Sequence, residues 1–460
     1  MRVRSQTQAA LFAVCAMLHG ANSLALADGY YDSSWAGGGR LTFKGDGNVA
    51  NTSDLEQIIA LPSGNLRLYG RVSTTGDSWL GEMQPDGTWS ASFGGGAGPG
   101  RVALCPMQTC TAFTAGAIQA STGNNVIIGS PYLVGVDSAG QSYYDNQYST
   151  TGGIDATLGS VTPNTLASLP DGRIIIAGYG YATTDTTRAL FGVARLTQDL
   201  SLDTSFNSAT TGFHGGAIID IYAYDAFESV HDVLIQPDGR VILVGFANGE
   251  FGTALEAVRL NSDGTLDNSF GTGGVSRLTW SEGNIDATAK AVLDRAGRIV
   301  VALSGTTLAF NQEIMLAARL TASGALDPGF GPGAGFAQFS ASKDCPSIYA
   351  KAVAIDSAGR ILVAGDCANS VTDDFIVARF RGDTGYLDAS FGISGYSLGE
   401  FEAGGSGSPF DIVLDSGGRP IVGGTSDSSG KAGIARLTYD LIQANNFEST
   451  PRGCLPPDCN

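Results

Sequence analysis

The chain has 460 residues and carries 44 Asp and Glu against 26 Lys and Arg, a formal net charge of −18 at pH 7. A surface this acidic repels phosphate backbones and anionic lipids, and the lysines beyond the leader, Lys44, Lys290, Lys343, Lys351 and Lys431, do not cluster, so nucleic acid is excluded as a partner. Length alone suggests two or three domains, a prior that the internal repeat overrides.

Residues 1–27 read as a cleavable secretory leader: Arg2 and Arg4, an apolar run from Ala9 to Leu18, then Ala25-Leu26-Ala27 ahead of Asp28. The expected localisation is therefore secreted or periplasmic. No later stretch approaches the ~20 apolar residues of a helical span, so no membrane span is expected.

From Asp28 the chain reads DGYYDSSWAGGGRLTF, the second half of a repeat without its first half. Repeat starts follow as LPSGNLRLYG at Leu61, ASTGNNVIIG at Ala120, LPDGRIIIAG at Leu169, QPDGRVILVG at Gln236, DRAGRIVVAL at Asp294, DSAGRILVAG at Asp356 and DSGGRPIVGG at Asp415. Their turn glycines, Gly64, Gly123, Gly172, Gly239, Gly297, Gly359 and Gly418, are 59, 49, 67, 58, 62 and 59 residues apart. Periods of this size mean repeated supersecondary units.

Each unit supplies short β-branched runs bounded by Gly and Asp. The fifth predicts strands at Thr288–Leu293, Arg298–Leu303, Ile314–Thr321 and Gly335–Phe339. Four antiparallel strands per repeat build a propeller blade. The expected fold is all-β, a seven-bladed β-propeller over residues 28–440, closed by the N-terminal strand near Arg40–Lys44, with a tail over 441–460.

The second anchor, VRLNSDGTLDNSFG at Val258, ARLTASGALDPGFG at Ala318 and ARFRGDTGYLDASFG at Ala378, combines with the DGR turn into a pattern that resembles the delta-60 repeat of exported bacterial proteins, NHL-like in style. The resemblance implies an exported propeller and no defined catalytic residues. The first two units lack the Arg-Leu pair.

Arg195, Arg259 and Arg319 precede Asp203, Asp267 and Asp327 by eight residues, and Arg379 precedes Asp388 by nine. An active site is built once, so a pair that recurs in four units reads as a structural contact. Asp46, Asp86, Asp171, Asp263 and Asp267 complete no calcium loop, and turn formation is the reading preferred over a calcium site; no cofactor and no metal are expected. His231 lies in an apolar strand pattern that suits a hydrogen-bonded core histidine, and His214 lies in a strand or turn.

Six cysteines follow the leader as near pairs, Cys105 with Cys110, Cys345 with Cys367 and Cys454 with Cys459, and in an exported chain these read as disulfides with connectivity open. The hairpin face opposite the DGR turns is the irregular one, with connections expected at Tyr179–Ala189, Ala223–Glu228, Ala247–Thr253, Gly305–Gln312 and Ala341–Ile348. Its aromatics, Tyr179, Tyr181, Tyr224, Phe227, Phe251 and Phe310, are the candidate ligand-binding residues. The expected function is a non-enzymatic scaffold binding a protein, peptide or glycan there. The alternative is a propeller hydrolase or lyase with acidic residues at the central channel.

Overall fold

In the computed structural model the described residues are 30–438, apart from 46, 48–51, 73–76, 95–99, 105–112, 130–131, 148–160, 183–184, 209–214, 222–226, 250–251, 333–334, 341–344, 369–372, 404 and 427–428. The expected leader, the tail, His214, Tyr224, Phe251 and the cysteines at 105, 110, 454 and 459 lie outside them. Among the described residues regular structure is all β, and no helix is long and apolar enough to cross a membrane.

The repeats fold as four-stranded antiparallel groups. Five form separate open sheets, and two are joined into one eight-stranded sheet by the single parallel bridge Ala189↔Phe227. In the fifth repeat the strands are Gly283–Leu293, Ile299–Thr307, Glu313–Leu320 and Phe336–Phe339. The first therefore begins five residues earlier than expected, and the second hairpin is tighter. Arg40–Phe43 pairs antiparallel with Lys431–Arg436 and completes the sheet of the last repeat. The first strands pack side by side in sequence, and Gly407–Leu414 of the last repeat packs on Ser53–Ala60 of the first.

The middle strands are buried on both faces, as Ile299 to Gly305 are, which explains their continuous apolar runs in place of period-2 alternation. The core lies between neighbouring sheets: Ile242 and Val244 of one repeat pack with Val301 and Leu316 of the next. The first hairpin of each repeat turns on its glycine, Gly172 at φ 85° and Gly239 at φ 83°, where an L side chain would be strained. In the fifth to seventh repeats an aspartate three residues ahead accepts the turn's N–H groups, as Asp294 Oδ1 does from Ala296 and Arg298 at 2.9 Å each.

The recurring Arg and Asp form a contact within the repeat that also reaches the next one. Arg259 Nε donates to Asp267 Oδ2 at 2.8 Å, Nη1 donates to the Ala322 carbonyl of the following repeat at 2.6 Å, and the guanidinium lies 4.7 Å from the Phe270 ring centroid. Arg195, Arg319 and Arg379 repeat the Asp and Phe contacts with Asp203 and Phe206, Asp327 and Phe330, and Asp388 and Phe391. A fifth copy joins the chain ends, Arg436 to Asp32 with Trp35 beneath it. In the first repeat the charges are exchanged between strands: Glu82 stands where the arginine would, and Arg67 across the hairpin pairs with it while covering Phe93.

Cys345 and Cys367 are disulfide-bonded, with Cα atoms 5.2 Å apart, closing the end of Ser347–Ile355 onto Ile361–Ala368. Replacing both by alanine should lower stability by about 2–4 kcal/mol in chemical unfolding; an unchanged midpoint would mean that the clip is dispensable.

Candidate functional site

Each repeat's first strand carries a register irregularity, at Leu55/Gln57, Phe113/Ala115, Pro163/Thr165, Val230/Asp232, Ile285/Ala289, Ala350/Ala352 and Pro409/Asp411. A bulge re-aims the side chains around it. The residue that resumes the ladder is Ala or Thr in four repeats and Gln57, Asp232 or Asp411 in the other three. Those three accept from the backbone of the next first strand: Gly116 N–H to Gln57 Oε1 at 2.9 Å, Ala291 N–H to Asp232 Oδ2 at 2.8 Å, and Ile58 N–H to Asp411 Oδ2 at 2.8 Å. Because alanine serves at this position elsewhere and an amide suffices at Gln57, the two carboxylates exceed what the fold requires.

Gln57, Asp232, Lys290 and Asp411 line one cavity of about 450 Å³ between the first strands. That volume is in the range of a small-molecule site. A second hollow of about 510 Å³ shares Leu293, Ile355 and Leu414 with it and opens toward the Asp294, Asp356 and Asp415 turns.

The electrostatics of the cavity follow from its walls. Burial raises the Asp411 carboxyl to about 6, opposed by its backbone N–H donors and by Lys290 and reinforced by Asp232. Burial also raises Asp232, with Lys290 opposing. His231, at the bulge, is pushed down to about 4 by burial and by Lys290, so it is neutral at pH 7. Among the described residues it has no hydrogen-bond partner, in place of the one expected, and its ring lies 4.7 Å from that of Phe246. Lys290 is exposed within the cavity wall and forms no ion pair among the described residues.

Around this opening, repeat-equivalent positions differ in chemistry from unit to unit. The bulge residue meets the residue seven past the turn glycine as Glu56 with Arg71 at 3.0 Å, as Lys351 with Asp366 at 3.2 Å in reversed polarity, and as His231 with Phe246. Burial raises Glu56, with Arg71 opposing. The opposite hairpin face keeps one Arg, Asp and aromatic design in five of the repeats. Variation concentrated at one end of the repeats is the pattern of a binding face.

Of the predicted ligand residues, Tyr179, Tyr181 and Phe227 come together, with ring centroids 6.0 Å apart for the first two and 5.7 Å for Tyr179 and Phe227. Both tyrosines sit on strand Ile174–Ala182, which runs on through the expected loop because Tyr179 and Tyr181 pair with Phe191 and Ala189. Phe310 is on another sheet, in the turn between Ile299–Thr307 and Glu313–Leu320, and is 83% exposed. Sequence reasoning missed Asp232, Lys290 and Asp411; a charged residue where the equivalent position in other repeats is Gln57, Thr165 or Ala352 was the available signal. Among the described residues no cluster of three or more His, Cys, Asp or Glu could hold a metal ion.

Comparison with known proteins adds the following. No curated protein matches the chain. Similar solved structures include a gluconolactonase from Xanthomonas campestris (13% identity, 71% of this chain and 86% of that one, TM-score 0.37), the PQQ-bound aldose sugar dehydrogenase from Streptomyces coelicolor (12%, 71% and 93%, 0.39) and an ulvan lyase of polysaccharide lyase family PL25 (9%, 84% and 94%, 0.46). The non-enzymatic scaffold expected from the sequence has no counterpart among these similar structures, which are enzymes by name, and is not taken further. At such identities and scores the likenesses themselves carry no assignment of an activity. A protein-family model described as a domain of unknown function (DUF5122) beta-propeller matches residues 169–206 and 236–270. Together with the all-β sheets, that match supports a β-propeller family for this chain.

Proposed function

We propose that the chain is an exported seven-bladed propeller, closed by its N-terminal strand, that works as a hydrolase or lyase through acid–base chemistry in the central cavity. Support for the closed disc comes from the side-by-side packing of first strands and from the pairing of Arg40–Phe43 with Lys431–Arg436. Support for export comes from the leader-like residues 1–27.

The observation that carries the catalytic reading is a lysine, without an ion pair among the described residues, that lines one cavity with two carboxylates whose proton affinity burial has raised, Lys290 with Asp232 and Asp411. A carboxylate that titrates near neutrality is a competent general base. Asp411 takes a proton, from the attacking water in a hydrolase or from carbon in a lyase; the bond to the leaving group breaks, the departing oxygen takes a proton from solvent, and the Lys290 ammonium faces the negative charge that develops. An ammonium positioned ahead of the reaction where negative charge develops stabilises that charge.

Two expectations follow for turnover of whichever substrate is found. The rate rises as pH passes through about 6, because the base must lose its proton. Lys290→Met lowers kcat by about 10²-fold or more, while Lys431→Met, on the rim of the last sheet, leaves it unchanged. A flat profile between pH 5 and 7, or full activity in Lys290→Met, would remove this chemistry from the cavity.

A further inference from the structure

The ring cluster continues inward from the candidate ligand residues. Tyr181, Tyr179, Phe227, Phe246 and His231 follow one another with centroid separations of 6.0, 5.7, 6.0 and 4.7 Å. The next residue in the chain after His231 is Asp232, which lines the cavity. The strip crosses between two repeats at the one place where their strands are bridged, Ala189↔Phe227, so its two halves share one sheet. Phe227 is 36% exposed, Tyr179 and Tyr181 are half-buried, and neither tyrosine hydroxyl has a hydrogen-bond partner among the described residues.

We infer that the outer part of this strip, Tyr181, Tyr179 and Phe227, backed by the buried Phe246, is the approach for a polysaccharide chain, laid over those rings so that one sugar reaches Asp411. The inference rests on the acid–base reading of the cavity and supplies its substrate class. Aromatic faces carry negative charge density and attract the weakly positive C–H faces of a sugar ring, and a tyrosine adds a hydroxyl for the sugar's own. Several rings in succession offer repeated contacts, as successive sugars of a polymer require. Peptide recognition by strand addition requires an open sheet edge. Here Ile174–Ala182 is paired on both sides, and Phe227–Ile235 is paired with Val241–Gly249 and bridged to Ala189. A nucleic acid is opposed by the net charge of −18.

The test is affinity electrophoresis of the mature protein in native gels containing mixed-linkage β-glucan, galactomannan, arabinoxylan, pectate or alginate, with a gelatin gel as the peptide control. Asp411→Asn is run beside the wild type so that binding is read without turnover. Retardation by at least one polysaccharide is expected, with Phe227→Ala and Tyr179→Ala weakening the dissociation constant about tenfold. Tyr179→Phe, which keeps the ring, should weaken it only a few-fold, and thermal melts check that each variant is folded. No retardation by any of the five polymers would overturn the inference, as would retention by gelatin alone or unchanged affinity in folded Phe227→Ala and Tyr179→Ala. The two readings fail separately. If Asp411→Asn binds and still cleaves like the wild type, the acid–base reading falls and the strip stands. If no polymer binds while a small substrate turns over with the expected pH profile, the strip alone falls.

Discussion

Replacing Arg259 by alanine should lower the stability of the folded chain by about 3–5 kcal/mol, the range for removing one partner of a buried ion pair. The guanidinium is only 5% exposed and its partner Asp267 only 10%, so neither can turn to water when the other is lost. The truncation also leaves the Ala322 carbonyl of the next repeat without its donor and uncovers one face of Phe270. Asp267 keeps the Ser269 N–H and hydroxyl at 3.0 and 2.6 Å, which limits the damage on the carboxylate side. Arg259→Lys should fall between the two, because it preserves charge and loses the fork that binds Asp267 and Ala322 together. Arg240→Ala is the control: that side chain is 40% exposed and 3.5 Å from Asp267, and its loss should stay under about 1 kcal/mol. Urea unfolding of the three variants gives the comparison, and equal losses for Arg240 and Arg259 would refute the inter-repeat staple.

The acid limb of stability has the same origin. Hydrogen bonds from Ser269 and the pairing with Arg259 hold Asp267 below the usual carboxylate range, and Asp203, Asp327 and Asp388 are lowered in the same way against the opposing effect of burial. A depressed folded-state pKa contributes stability above the unfolded value that is lost as pH falls through the folded one. The staples therefore fail together in acid, below about pH 4.

Asp411→Asn is expected to separate stability from activity. In the folded chain Asp411 titrates near 6, above its ordinary value, so folding stability drawn from this residue falls as pH rises between about 4 and 6. Asparagine removes that fall. It retains a carbonyl oxygen for the Ile58 N–H, as Gln57 does for Gly116, and forgoes only the second bond, Ile412 N–H to Oδ1 at 2.8 Å. Stability at pH 7 should therefore stay within about 1 kcal/mol of the parent, while proton transfer is abolished and the rate drops by about 10²–10⁴-fold. If asparagine unfolds the protein at pH 7, Asp411 is a structural clasp; if it is stable and fully active, the base lies elsewhere.

Much of the architecture was legible because the same local solution is written many times. The DGR turn and the SFG turn each have a glycine that the backbone requires, and the spacing between them sets the four strands. The Arg–Asp contact was read correctly as structural because it recurs. Its fifth copy was not legible: Asp32 and Arg436 are 404 residues apart and meet only when the first strand completes the last sheet. The Arg67–Glu82 pair was hidden for a related reason, since the carboxylate stands at the arginine's position and its partner lies across the hairpin. The cavity residues were hidden more deeply. Asp232, Lys290 and Asp411 come from three repeats, and only the bulges turn them toward one volume. Tyr179, Tyr181 and Phe227 were read as loop aromatics, and their contact with one another depended on strands extending through those loops.

The measurement that bears most directly on the acid–base site is product release from the same polysaccharides by the mature protein and by Asp411→Asn, followed both as new reducing ends and as ultraviolet absorbance of an unsaturated sugar. The account predicts cleavage of at least one polymer by the parent and its loss in the folded variant, with absorbance marking a lyase and its absence a hydrolase. Equal product from both proteins, or none from either on a polymer that the parent binds, would contradict it.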